Sequence, residues 1–157
     1  IVNAANAQLR TGGGVVGAIH SAAGPGLTEE TRPMPRLQPG EAVLSGGHNL
    51  SNAHVIHVLG PVYGRDEPSD ELLREGYENA LRRAEENGIT SLAVPALSTG
   101  AFGYPLDEAA RIAMETILDA APNLDSVEHI RFVLFDGEAL ETHEQALETL
   151  LTERDNS

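Results

Sequence analysis

A chain of 157 residues with 41% apolar residues, no cysteine and a net charge of −14 has the size and composition of one globular domain. These facts exclude disulfides, thiol catalysis and thiolate-bound metal, and the negative field repels nucleic-acid phosphate. The ten basic residues are all arginine, no apolar run is long enough for a membrane helix, and no signal peptide opens the sequence.

In chain order, Ile1 and Val2 read as the close of a strand whose earlier residues lie outside the sequence. Asn3-Ala4-Ala5-Asn6 follows, then Thr11-Gly12-Gly13-Gly14, and then Val15 to His20 as an apolar helical stretch. Glycines at a helix start suggest an anion site, because backbone N–H groups can approach a phosphate without a Cβ in the way. The helix terminus adds partial positive charge, so no lysine is needed. Thr28 to Pro39, with three prolines, predicts an irregular surface crossing.

Ala42 to Leu44 and His54 to Leu59 read as strands. A helix runs from Ser69, with Asp70 and Glu71 in its first turn, to Gly88, and places Leu73, Tyr77, Ala80, Leu81 and Ala84 on one face. Ser91 to Leu97 is a buried strand, and Ser98-Thr99-Gly100-Ala101-Phe102-Gly103-Tyr104 repeats the arrangement of strand, glycine loop and helix. The next helix follows Pro105, carries Ala109, Ile112, Ala113, Thr116, Ile117 and Ala120, and ends at Pro122. Ile130 to Phe135 is the last strand, and a helix from Glu138 to Leu151 uses Leu140, Leu147, Leu150 and Leu151. Residues 153–157 form a polar tail, expected to be mobile. This alternation predicts a single α/β domain over residues 1–152.

In an open α/β sheet, loops after the carboxyl ends of strands gather on one crest, where two glycine loops can clamp a pyrophosphate. Other nucleotide motifs fail. Gly12 to Gly17 has Walker A spacing, but Ala18 and Ile19 stand where Lys and Ser or Thr are required. Gly12, Gly14 and Gly17 satisfy G-x-G-x-x-G, yet Gly12 lies too far from the strand end at Val2, and no strand-terminal acid follows at the needed distance.

Ile1 to Asn6, Gly12 to Val15, Gly17 to His20, Pro95 to Gly100 and Phe102 to Pro105 together, in this order, resemble the macrodomain family. Val55-Ile56-His57 and Gly60-Pro61 resemble its intervening strand. The resemblance implies a three-layer α/β/α sandwich with a mixed central sheet, here short of its N-terminal strands, whose crest holds ADP-ribose. It implies that Asn6 bonds the distal ribose and is the catalytic residue, and that Gly13, Gly14, Val15 and Val16 line the first loop. Ser98, Thr99, Gly100, Ala101, Phe102 and Gly103 would wrap the pyrophosphate, with Phe102 over the distal ribose. Phe135 resembles the aromatic that packs on adenine, its alternative being a core phenylalanine. An acidic residue that receives the adenine amino group in relatives belongs to a strand before Ile1.

Val16 departs from the pattern, since many hydrolytic relatives, including the bacterial O-acetyl-ADP-ribose deacetylase type, carry aspartate there. Viral macrodomains resemble this chain in lacking it. His20 reads as structural, with proton shuttling as the alternative, and His54 and His57 lack carboxylates at metal-ligand spacing. Two functions therefore compete: removal of mono-ADP-ribose from acidic side chains or cleavage of O-acetyl-ADP-ribose, and non-catalytic reading of ADP-ribose. Phosphatase action on ADP-ribose phosphate is a third. The partner is ADP-ribose or a mono-ADP-ribosylated protein, with no cofactor, metal, membrane or nucleic acid. The expected setting is a monomer in the cytoplasm. The acidic, lysine-free composition fits a salt-rich cytoplasm or a GC-rich genome equally well.

Overall fold

The computed structural model describes residues 1–157. Its elements, in order, are β1 (Val2–Ala4), α1 (Gly14–Ala23), α2 (Pro25–Thr31), β2 (Ala42–Gly46), β3 (His54–Val58), α3 (Ser69–Glu86), β4 (Ser91–Val94), α4 (Leu106–Ala120), β5 (His129–Phe132) and α5 (Gly137–Asp155), with a 3-10 turn at residues 121–123 after α4. β1 runs parallel to β3, which carries β2 antiparallel on its other side, and β4 pairs β5 in parallel. β4 packs beside β1 without a ladder between them.

Strand alternation sends successive side chains to opposite faces. Val2, Ile56 and Val58 enter the main core with Leu73, Tyr77 and Ala84 of α3, Ala109 and Ala113 of α4, and Leu150 of α5. Val55, on the other face, packs with Ile19 and Ala23 of α1 and Leu27 of α2. The result is the expected three-layer α/β/α sandwich with a mixed sheet. No helix is long and apolar enough to cross a membrane.

α3 forms as its pattern predicts: the five stripe residues are buried, acids open its first turn, and Gly88 takes a left-handed φ of 65° just beyond its end. Other boundaries differ from expectation. β4 stops at Val94, because Pro95 has no N–H to continue a ladder. β5 ends at Phe132, leaving Phe135 outside it. Four residues of the supposed irregular crossing are helical, since α2 starts with Pro25 at its first turn and is anchored by buried Leu27 and Thr31. α5 reaches Asp155 instead of fraying at residue 153, with Glu153 paired to Arg111 at 2.8 Å and Arg154 to Asp119 at 2.7 Å. Its buried stripe is Ala139, His143 and Leu150, whereas Leu140 and Leu151 are exposed.

Beneath the sheet face that meets α1 lies a buried polar chain. Asn3 pairs in register with His57, its Nδ2 lies 3.1 Å from His57 Nδ1, and His57 Nε2 lies 2.8 Å from Ser45 Oγ. An amide donating to Nδ1 sets the tautomer with hydrogen on Nε2, which then donates to Ser45. Burial, helped by the nearby His20, holds the His57 pKa down to about 4, so the ring is neutral.

Candidate functional site

The first glycine loop begins where β1 ends. Ala5 N–H donates to Val58 carbonyl at 2.9 Å, so the chain stays pinned to β3 one residue beyond the strand. Asn6 then turns its side chain into the loop, where Oδ1 accepts Arg10 N–H at 2.9 Å and Nδ2 donates to Arg10 carbonyl at 2.6 Å. This clamp fixes the amide's direction and leaves one lone pair of Oδ1 and one N–H for a ligand. Leu9, buried with a left-handed φ of 59°, closes the turn.

α1 opens without a side-chain cap, Gly13 standing at its N-cap and Gly14 at φ 61°. The N–H groups of Gly14, Val15 and Val16 therefore have no intrahelical acceptor and carry the positive end of the helix dipole. Val15 is 41% exposed beside them, whereas Val16 is 8% exposed with its side chain turned inward beneath Gly12. A Cβ placed on Gly12 would sit 3.4 Å from Val16 Cγ1 and 3.8 Å from Asn6 Nδ2, so these two side chains flank one point. Val16 thus reaches the groove through its main chain, and as a wall only from below.

The second loop is closed by Tyr104 N–H to Ser98 carbonyl at 2.9 Å and Gly103 N–H to Gly100 carbonyl at 3.0 Å. Those bonds leave the amides of Thr99, Gly100, Ala101 and Phe102 without protein acceptors, four in succession along one turn. Successive amides of this kind form an anion-binding concavity. Ser98, 8% exposed, takes a left-handed φ of 66°, and its Oγ, without a partner, lies against the bare face of Gly60. Phe102 packs on a cluster of Ala5, Leu9, Leu37 and Leu59, which carries the second loop onto the first.

Charge agrees with geometry. Residues 1–28 and 95–106, which contain both loops, hold no acidic residue in a chain that has 24. Two hollows of about 420 and 430 Å³ lie elsewhere; four carboxylates, Asp70, Asp107, Glu108 and Glu115, against one arginine, Arg111, line the first, a balance that disfavours a phosphate. The groove between the loops can hold a diphosphate on backbone amides alone.

The structure brings Phe102 onto Ala5 and Leu9 and sets Asn6 and Val16 about Gly12, but Phe135 stands apart from the core. At 99% exposure it is not the core phenylalanine of the alternative reading. It immediately precedes Asp136, whose carboxylate accepts Ala139 N–H at 2.9 Å to cap α5. His20 is buried, its Nδ1 lying 3.1 Å from Thr28 Oγ1 and its Nε2 without a partner. No group of three or more potential ligands is placed to hold a metal. Sequence reasoning noted Gly60 only beside the intervening strand and passed over Leu9: the seat of Ser98 on Gly60 exists only in the fold, and a left-handed leucine has no sequence signature.

Residues 2–113 match the family model of the Macro domain. The O-acetyl-ADP-ribose deacetylase of Enterobacter cloacae is 43% identical, covering 98% of this chain and 86% of its own length. A Macro domain-containing protein of Caldanaerobacter subterraneus is 41% identical over 96% of this chain and 88% of its own. Among solved structures, the Oceanobacillus iheyensis macrodomain with ADP superposes at a TM-score of 0.93 and 36% identity, over 97% of this chain and 84% of that one. The Trypanosoma brucei macrodomain in complex with ADP-ribose gives 0.85 at 37% identity, over 93% and 62%.

Proposed function

The chain belongs to the macrodomain family, and on that premise we propose that it binds ADP-ribose across its two glycine loops and hydrolyses the bond joining the distal ribose to an acidic side chain or an acetyl group. The observation that carries this is the set of unpaired amides in both loops, in acid-free segments of a strongly acidic chain. The diphosphate lies against Gly14 to Val16 and Thr99 to Phe102, where helix dipole and backbone replace the missing lysines. Phe102 covers the distal ribose, and the clamped Asn6 amide meets its hydroxyls. Phe135, already exposed, packs on adenine.

For an ADP-ribosyl ester, a water oxygen attacks the anomeric carbon as the bond to the carboxylate breaks and that carboxylate leaves with the electron pair. The water's proton passes to an oxygen of the substrate's own phosphate, because Val16 offers no base. Asn6 orients the ribose so that the attacking and leaving oxygens are in line. Val16 also favours a second reading, a binding module without turnover, since a positioned carboxylate typically contributes about 100-fold to 10,000-fold as a base.

Titration calorimetry with ADP-ribose, paired with release of ADP-ribose from a modified protein, separates the two. The hydrolase binds and releases, and Asn6→Ala removes most of the release. Undiminished turnover in Asn6→Ala takes Asn6 out of the mechanism, and binding without release by either protein establishes the reader. Millimolar ADP-ribose that leaves the amide resonances of Gly13 and Gly100 unmoved in a folded sample sinks both.

A further inference from the structure

The charge of this chain is sharply segregated. Residues 1–40 hold three arginines and two glutamates, whereas the other 117 residues hold seven arginines against 22 acids. Five of those seven arginines are ion-paired: Arg65, Arg74, Arg83, Arg111 and Arg154. Arg10, Arg32 and Arg36 have no carboxylate partner and are all exposed. Of the two glutamates, Glu30 is occupied by His48 at 2.7 Å and by Gly46 N–H at 3.0 Å, leaving Glu29 alone.

The fold gathers these arginines at one edge. Thr31 Oγ1 donates to Leu9 carbonyl at 3.0 Å, and Leu37 N–H donates to Ala7 carbonyl at 2.9 Å. Arg10 and Arg32 are each one residue from the first link, and Arg36 is one residue from the second. Met34, between them, packs with Phe102 on the cluster of Ala5, Leu9, Leu37 and Leu59. The arginine edge therefore adjoins Asn6 and Phe102, the end of the groove where the distal ribose, and whatever is joined to it, leaves the protein. Pro33 and Pro35 stiffen the segment, which limits the entropy lost when a partner docks.

We propose that Arg10, Arg32 and Arg36 form a docking surface for a carboxylate-rich polypeptide stretch flanking the ADP-ribosylated side chain. This rests on the reading of the groove as an ADP-ribose site and assigns the substrate's protein part a surface of its own. An acidic peptide fits better than a nucleic acid, because a short run of carboxylates can end within reach of three arginines, whereas a phosphate backbone carries its charge on past them into the acidic remainder of the domain.

The test uses two peptides that carry ADP-ribose through the same hydrolysis-resistant linkage, one flanked by glutamates and one by serines. The unaltered protein binds the glutamate peptide about tenfold more tightly at low ionic strength, as three exposed charge pairs provide, and less than about twofold more tightly at 0.5 M salt. Arg32→Gln/Arg36→Gln loses most of that preference while binding free ADP-ribose unchanged, and Arg32→Glu/Arg36→Glu reverses it. Equal affinity for both peptides, with free ADP-ribose still bound, overturns the docking surface alone. Failure to bind free ADP-ribose overturns the groove reading beneath it. A single-stranded oligonucleotide bearing terminal ADP-ribose that binds more tightly than the glutamate peptide assigns the surface to nucleic acid and also refutes the proposal.

Discussion

Replacing Val16 by aspartate tests whether this groove lacks only a base. The side chain is 8% exposed, lies beneath Gly12, and faces the same point as the Asn6 amide. Losing a buried valine removes about 1.5–2 kcal/mol of apolar burial. A carboxylate in the first turn of α1 recovers about 0.3–1 kcal/mol from the helix dipole, where no acid now stands. The carboxylate also loses hydration at this nearly buried position, at least about 1–3 kcal/mol, so the net loss of about 2–4 kcal/mol lowers Tm by about 4–16 °C. If the groove is otherwise built for hydrolysis, a carboxylate there accepts the proton of the attacking water, and release rises about 100-fold, or about 2.7 kcal/mol of barrier. Val16→Asn is the control, with the same shape but no charge for the helix dipole to stabilise, no base and no gain in rate. The assay is single-turnover release of ADP-ribose from a protein modified on glutamate, beside a melt and an ADP-ribose titration. Folded Val16→Asp that binds ADP-ribose and releases it no faster than Val16→Asn refutes the reasoning.

Gly60→Ala places a Cβ on Ser98 Oγ, so the buried hydroxyl must turn or the second loop must shift. It should weaken ADP-ribose binding at least tenfold and lower stability by about 1–3 kcal/mol, with calorimetry and a melt as the measurements. His57, neutral at pH 7 because its pKa is held at about 4, gives a pH dependence with a definite sign. Its contribution is full above the unfolded value near 6.5 and is lost as pH falls from there to about 4, with a ceiling of about 3 kcal/mol. His20 and His143, also lowered by burial, act in the same direction. Thermal melts should fall over that range, and a flat profile contradicts the buried neutral ring. Glu85 accepts the N–H groups of Asp125, Ser126 and Val127, which hold its carboxyl below the usual range. Glu85→Gln should speed hydrogen exchange at Ser126 and Val127 while leaving ADP-ribose binding intact.

The sequence alone determined the fold class and picked out the two loops from which the candidate site is built. Hydrophobic periodicity sufficed for α3, because its stripe and its ends are local signals, and glycines placed between strand and helix marked both candidate loops. It misjudged α2 and the ends of β4 and β5, where helix or strand persists or stops for reasons of packing and proline geometry. Phe135 was assigned two roles from sequence, and only its exposure in the tertiary structure removes the core one.

What only the tertiary structure decided is proximity across long sequence separations. The contact of Phe102 with Ala5 and Leu9 and the seat of Ser98 against Gly60 arise from how loops meet above the sheet. The clustering of Arg10, Arg32 and Arg36 follows from two hydrogen bonds that join α2 and its following segment to the first loop. Composition fixes how much charge a chain carries, but the field at a site depends on which charges the fold brings within a Debye length of it.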